Sequence, residues 1–240
     1  MMILEVKEMK KKIIIVIVLS LLLGGIISYF IMDKVMIIEK KLPVAELAEG
    51  LREKYGIDKN INEKTIDNYL NRSDTVYRDV RMLEDSATWE NKGGDRYLSG
   101  YIKGFEVIPS VYLCGFTEEY IKQKEKENVY GLYTGRTLFT LMDDGSYKAN
   151  YKESLSILEA IFPRDKNIFI MCGAGGYAGE VKQLLISLGW DKDKVRDVGG
   201  YWYYEGKNSI QVKETIDGQD YYNFSKVPYY NIDFDTLHEV

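Results

Sequence analysis

The segment Cys172-Gly173-Ala174-Gly175-Gly176-Tyr177-Ala178 stands between an apolar run, Ile168 to Met171, and a helical pattern, Val181 to Leu188. That order places a thiol in a turn between a strand and a helix. Glycines there let backbone amides converge on the sulfur, and a helix N-terminus adds positive potential. Both favour thiolate over thiol, which makes Cys172 a candidate nucleophile. The plainer alternative is a small buried hydrophobe at the end of a strand. Glycines at 173, 175, 176 and 179 weigh against it, because glycine loses the most backbone entropy on folding and packs nothing.

Two other chemistries use similar strings. A cysteine phosphatase needs an arginine six residues after its cysteine to clamp phosphate bidentately, and here that position is Ala178. The run Gly173-x-Gly175-x-x-Ala178 also fits a dinucleotide fingerprint, with Asp191, Asp193 and Asp197 near the place of a ribose-binding acid. Such a turn usually opens its domain and is followed by several βαβ units, for which residues 179 to 240 leave little room.

Three further segments accompany the loop. Val76-Tyr77-Arg78-Asp79-Val80-Arg81 reads as a strand ending in Asp-Val-Arg, and Gly100-Tyr101-Ile102-Lys103-Gly104-Phe105-Glu106-Val107-Ile108-Pro109 follows it. Val195-Arg196-Asp197-Val198-Gly199-Gly200-Tyr201-Trp202 closes the series with a strand, a Gly-Gly turn and an aromatic. In this order the four motifs resemble the rhodanese-like domains over about residues 57 to 206. The resemblance implies an α/β fold, a three-layer domain with a mainly parallel sheet. It also implies sulfane-sulfur transfer through a persulfide on Cys172, held by the loop Gly173, Ala174, Gly175, Gly176, Tyr177 and Ala178. Asp79, Arg81 and Arg136 are expected as supporting residues. The reaction implies no cofactor, a small sulfur donor, and a thiol or other nucleophilic acceptor.

The chain departs from the family pattern in three places. Tyr177 stands where many members carry an arginine that holds an anionic donor, and Tyr101 stands where they often have histidine. A long insertion, residues 110 to 151, separates the second motif from the strand that carries Cys172. It contains Arg136 and a turn signal at Asp143-Asp144-Gly145, and it reads as surface decoration rather than a cover for the site. Loss of the loop arginine sustains an alternative of another class: a catalytically idle rhodanese-like module that binds a partner protein at a membrane surface.

Near the start, Ile13 to Met32 is a run of twenty residues without a charge. That length crosses a hydrocarbon core as a helix, and the run lacks the polar face of a core helix. Secretory signals have a shorter apolar region and a small-x-small cleavage site, whereas this run ends Phe30-Ile31-Met32-Asp33. Residues 13–32 therefore read as an uncleaved transmembrane anchor, whether translation starts at Met1 or Met9. Lys10 to Lys12 abut the run, and Lys34, Lys40 and Lys41 lie beyond it, which favours a cytoplasmic segment 1–12 and an extracytoplasmic globular domain. The expected location is the cell membrane, crossed once.

Charge and composition narrow the function classes. Residues 42 to 240 hold 25 basic and 33 acidic side chains, a net of −8, which repels nucleic-acid backbones. The twenty tyrosines are scattered, and no basic groove is evident to make them base-stacking platforms. Cys114 is the second of two cysteines, read as a buried apolar residue; pairing with Cys172 or acting as a resolving thiol is the sharper alternative. The single His238 lies near the end of the chain, so a Cys-His hydrolase is hard to build, and no metal site is visible.

Between these features the spacing predicts a stalk or docking helix over residues 42 to 55 within a linker at 33–56, and a short helix over 63 to 70. A solvent-facing helix is expected over 118 to 127. An amphipathic helix is expected over 154 to 162, with Leu155, Leu158, Ile161 and Phe162 on one face and Pro163 as its stop. Helices alternating with apolar strands argue for a parallel sheet covered on both faces, with the ligand at the strands' carboxyl ends. Residues 207–240 read as an added hairpin turning at Asp217-Gly218.

Overall fold

Strand β7, Asn167–Cys172, is apolar from Ile168 onward because both of its faces are buried. Ile168, Ile170 and Cys172 point into one hydrophobic cluster with Leu158, Ile161 and Leu184. Phe169 and Met171 point into a second cluster with Ile66, Tyr77, Phe105 and Val198. A strand of period two cannot place apolar groups on both faces without a near-continuous apolar run. The computed structural model describes residues 41–49, 54–82, 98–129 and 131–240. The expected anchor, 13–32, lies outside the described residues, and among those described no helix is long and apolar enough to cross a membrane.

Residues Leu42–Val240 form one unit, a mixed α/β structure. Its central sheet has four strands: β1 (Thr75–Asp79), β3 (Glu106–Val107), β7 and β8 (Val195–Gly200), in the order β3-β1-β7-β8. All neighbours are parallel: Val76 pairs with Ile168, Arg78 with Glu106, and Ile168 with Val195. Helices α3 (Ser154–Ile161) and α4 (Gly176–Ser187) supply the first cluster. The second face is covered by Ile61, by the 3-10 turn Ile66–Asn68, and by Ile102 and Phe105 around strand β2 (Gly100–Ile102). The expected 63 to 70 helix is thus only that short turn. In α3, Leu158 and Ile161 are buried with the following Phe162, but Leu155 stays 43 % exposed and Ser154 takes the inner position, its hydroxyl donating to Leu138 O.

The insertion builds a second small sheet. After the short α1 (Ser110–Leu113), strands β4 (Cys114–Phe116), β5 (Phe139–Leu141) and β6 (Tyr147–Ala149) pair in that order. Between β4 and β5 lies α2 (Glu118–Lys126), which buries no residue and is capped by Thr117. Leu113, Leu138, Phe139 and Tyr151 enter the main core, so the insertion is part of the hydrophobic structure and not an ornament at its edge.

At the ends of the domain one expectation is corrected and one is met. Residues 42 to 49 carry no helix. Ala48 N–H donates to Ile57 O at 2.8 Å and Lys59 N–H to Glu46 O at 2.7 Å, so this segment satisfies its backbone by pairing with 57–59, and Leu42 packs on the second cluster. Leucine spacing gave the helical pattern, but pairing with a neighbouring segment outweighs such a weak preference, and Pro43 has no N–H to give. In the tail, β9 (Ser209–Gln211) pairs back onto β2, and the hairpin is β10 (Lys213–Ile216) with β11 (Gln219–Tyr222). Its turn is the expected one: Asp217 and Gly218 have φ of 52° and 81°, the left-handed pair that matches strand twist.

A buried ion pair ties the N-terminal segment to the sheet. Arg196 Nη1 donates to Asp58 Oδ2 at 2.7 Å and its Nη2 to Pro43 O at 2.7 Å, while Asp58 Oδ1 accepts from the N–H groups of Asn60 and Ile61. Both side chains are almost wholly buried. Arg196→Ala should therefore destabilise the fold by about 3–5 kcal/mol in urea unfolding, because it strands a buried carboxylate. A loss below about 1 kcal/mol, the scale of an exposed pair, would contradict this account of the segment.

Candidate active site

Strand β7 ends at Cys172, and α4 begins four residues later with Gly175 as its N-cap. Gly175 has a φ of 111°, a backbone that residues with side chains rarely adopt, and a Cβ there would lie 2.7 Å from Ile57 Cδ1. This tight curl brings the Gly175 N–H to 3.0 Å from Cys172 Sγ. An N–H donor at the positive end of a three-turn helix suits a sulfur that carries negative charge. One turn on, a Cβ at Gly179 would lie 2.2 Å from Tyr55 O, so glycine is what lets the chain before Ile57 cross α4.

Cys172 is 1 % exposed and is reached through a small pocket of about 130 Å3. Its other lining residues are Tyr55, Ala174, Gly176, Tyr177 and Glu180. Of the loop residues expected to hold a ligand, Ala174, Gly176 and Tyr177 line this pocket and Gly175 contributes its N–H. Gly173 is buried, with its carbonyl accepting from Trp202 N–H at 3.1 Å, and Ala178 is wholly buried in the first cluster.

The supporting residues are placed elsewhere. Arg81 Nε donates to Asp79 Oδ1 at 2.9 Å, Arg81 Nη2 donates to Gly100 O at 2.8 Å, and the guanidinium lies 4.3 Å from the centre of the Tyr201 ring. Asp79 and Arg81 are both buried, so this pair neutralises itself and braces the end of β1 against β2. Arg136 makes an exposed ion pair with Asp235 at 2.6 Å and lies over the Phe234 ring. None of the three lines the pocket at Cys172. Tyr101 donates its hydroxyl to Lys226 O and is also structural.

Two site residues escaped the sequence reading. The spacing places Tyr55 on a stalk helix, and Glu180 carries no motif; only its place one turn into the helix that follows the loop returns it to the mouth of the site. Desolvation by the surrounding protein raises the Glu180 carboxyl above its ordinary range, although the residue as a whole is exposed. On the far side of Tyr55 and Gly176 is a wider cavity of about 500 Å3 bordered by Lys54 and Lys182. Lys182 is committed there, its Nζ donating to Gly56 O at 3.0 Å.

Neither Cys114 nor Cys172 is in a disulfide. Cys114 sits half-buried on β4, and burial pushes its thiol up to about 12. It is therefore protonated at neutral pH and a poor nucleophile. The disulfide considered from sequence is absent. Among the described residues no cluster of His, Cys, Asp or Glu is arranged to hold a metal ion.

The loop geometry yields a direct test. Gly175→Ala combines a left-handed φ with overlap at Ile57, and should cost about 1–2 kcal/mol from the backbone alone, read by urea unfolding, together with slower alkylation of Cys172. A variant within about 0.5 kcal/mol of the parent, with unchanged alkylation, would show that this curl does not position the sulfur. Compared with family models, curated proteins and solved structures, the chain gives no significant match to any.

Proposed function

We propose that this chain is a membrane-anchored, rhodanese-like sulfurtransferase that carries sulfane sulfur on Cys172. The observation that carries the reading is Cys172 at the carboxyl end of a central parallel strand, in a loop that closes on its Sγ through the Gly175 N–H. The four sequence motifs support it jointly. They run to Asp79, Val107, Cys172 and Gly200, the ends of four neighbouring parallel strands, so all converge on the edge where such sheets bind ligands.

In the reaction, Cys172 thiolate attacks the outer sulfur of a donor. A new S–S bond forms, the donor's own S–S bond breaks, and the leaving group departs with the electron pair. A nucleophilic acceptor then attacks the terminal sulfur, and Cys172 leaves as thiolate. Loop amide and helix N-terminus stabilise charge on sulfur in both steps. Residues 13–32 hold the domain at the outer face of a cell membrane; protease added to intact cells should digest residues 42 to 240, and full protection until lysis would reverse that topology.

A second reading, the idle partner-binding module, is favoured by one observation: Trp202 and Tyr203 are each about half exposed beside the loop, and Trp202 is hydrogen-bonded to it. Sulfur-transfer kinetics separate the two. Cys172→Ser should abolish delivery of sulfur to a thiol acceptor with the fold intact, whereas Cys114→Ser should leave most of the rate. Polysulfide or a small persulfide should outperform thiosulfate, since Tyr177 and Glu180 offer a dianion no compensation, and Tyr177→Arg should raise the thiosulfate rate more than the polysulfide rate. A wild type that prefers thiosulfate would overturn this donor choice, and a fully active Cys172→Ser would contradict the proposal itself.

A further inference from the structure

The pocket at Cys172 shares Tyr177 and Glu180 with a second, larger cavity of about 280 Å3. One wall of that cavity is the insertion, through Val111, Cys114, Phe116, Leu141 and Tyr147, and the other is α4, through Val181. The volume is near the small end of ligand cavities, roughly 300 Å3 upward. Burial keeps the thiol of Cys114 and the phenol of Tyr147 neutral, each pushed up to about 12. Among the described residues, neither cavity is lined by a lysine or an arginine, and the shared rim carries the Glu180 carboxyl. Lys54 and Lys182 border the cavity on the far side of Tyr55, so an anionic group entering by this groove meets the Glu180 carboxyl first.

We infer that the groove between the insertion and α4 seats the apolar tail of a neutral sulfur compound whose sulfur end reaches Cys172. This rests on the sulfur-transfer reading and names its substrate class: a small thiol-bound persulfide with an alkyl or aryl R, taken up in its protonated form, R–S–S–H. Cys172 thiolate attacks the outer sulfur, the bond between the two donor sulfurs breaks, R–S⁻ leaves with the electron pair, and the proton travels with the transferred sulfur. No external oxidant or reductant is consumed. Apolar area removed from water supplies the affinity that charge pairing cannot. The insertion then acts as a specificity element, because without it α4 has no facing wall.

Alkyl methanethiosulfonates test this without requiring sulfur transfer, since thiolate attack on their sulfenyl sulfur forms a mixed disulfide and expels methanesulfinate. The full-length chain in mild detergent is treated with methyl, butyl and hexyl reagents and with the anionic sulfonatoethyl reagent. Modification is read on the peptide carrying Cys172. Rates are divided by those of the urea-unfolded chain in the same detergent, which removes partitioning. Each buried methylene is worth about fourfold, so the corrected hexyl-to-methyl ratio should be at least about tenfold. The sulfonatoethyl reagent should be the slowest. Val111→Trp, which fills the groove, should bring the corrected ratio close to unity, with its melting curve confirming that it folds; if it does not fold, the wild-type series decides alone. A corrected ratio near unity in the wild type, or a fastest rate with the anionic reagent, overturns the inference. A clear chain-length preference in a protein that forms no persulfide upholds the groove and overturns the transfer reading instead.

Discussion

Burial of β7 on both faces is the constraint from which the rest of the structure follows. A strand with Ile168 and Ile170 in one cluster and Phe169 and Met171 in the other must be flanked by two further strands and covered twice. Parallel pairing on both sides puts the ends of β1, β7 and β8 at one edge. The chain that leaves this edge has to turn at once into α4, because Leu184 and Leu185 cover the same cluster that receives Ile168. Cys172 is the hinge of that turn, and its surroundings follow from the packing on either side.

Charge in this domain serves architecture first. The pairs Asp79–Arg81 and Asp58–Arg196 are both buried, and each arginine also donates to one backbone carbonyl, Gly100 O and Pro43 O. Such pairs add little net stability relative to apolar packing, yet losing one partner is costly, so they fix arrangement more than they deepen the energy minimum. One braces the end of β1, and the other fastens Pro43 and residues 58 to 61 beside β8. Among the described residues, the pocket at Cys172 is lined by backbone dipoles, two tyrosines, Ala174 and one acid.

The elements nearest the chemistry were the most legible in the sequence. The apolar run before Cys172, its glycine punctuation and the helical pattern after it have local causes, and β1, β8 and α4 stand where their spacing placed them. Residues 42 to 49 misled because leucine spacing is a weak signal beside the pairing of Ala48 and Glu46 with Ile57 and Lys59, which no local pattern encodes. Leu155 fits the helical face, but the hydroxyl of Ser154 has a carbonyl to satisfy there. Tyr55 and Glu180 come to the site from segments 117 and 8 residues away from Cys172 in the numbering, brought together where the chain before Ile57 crosses α4 at Gly179. The insertion looks like ornament in the sequence because nothing local records that Leu113, Leu138 and Phe139 complete the core.

The central claim is that the sulfur of Cys172, and not that of Cys114, forms the covalent bond to transferred sulfur. The most direct measurement is fragment mass mapping of the wild-type protein after brief exposure to a small persulfide and trapping of the products by alkylation. The account predicts one added sulfur atom on the peptide containing Cys172 and none on the peptide containing Cys114. Added sulfur on Cys114 alone, or on neither cysteine of a folded protein, would contradict it.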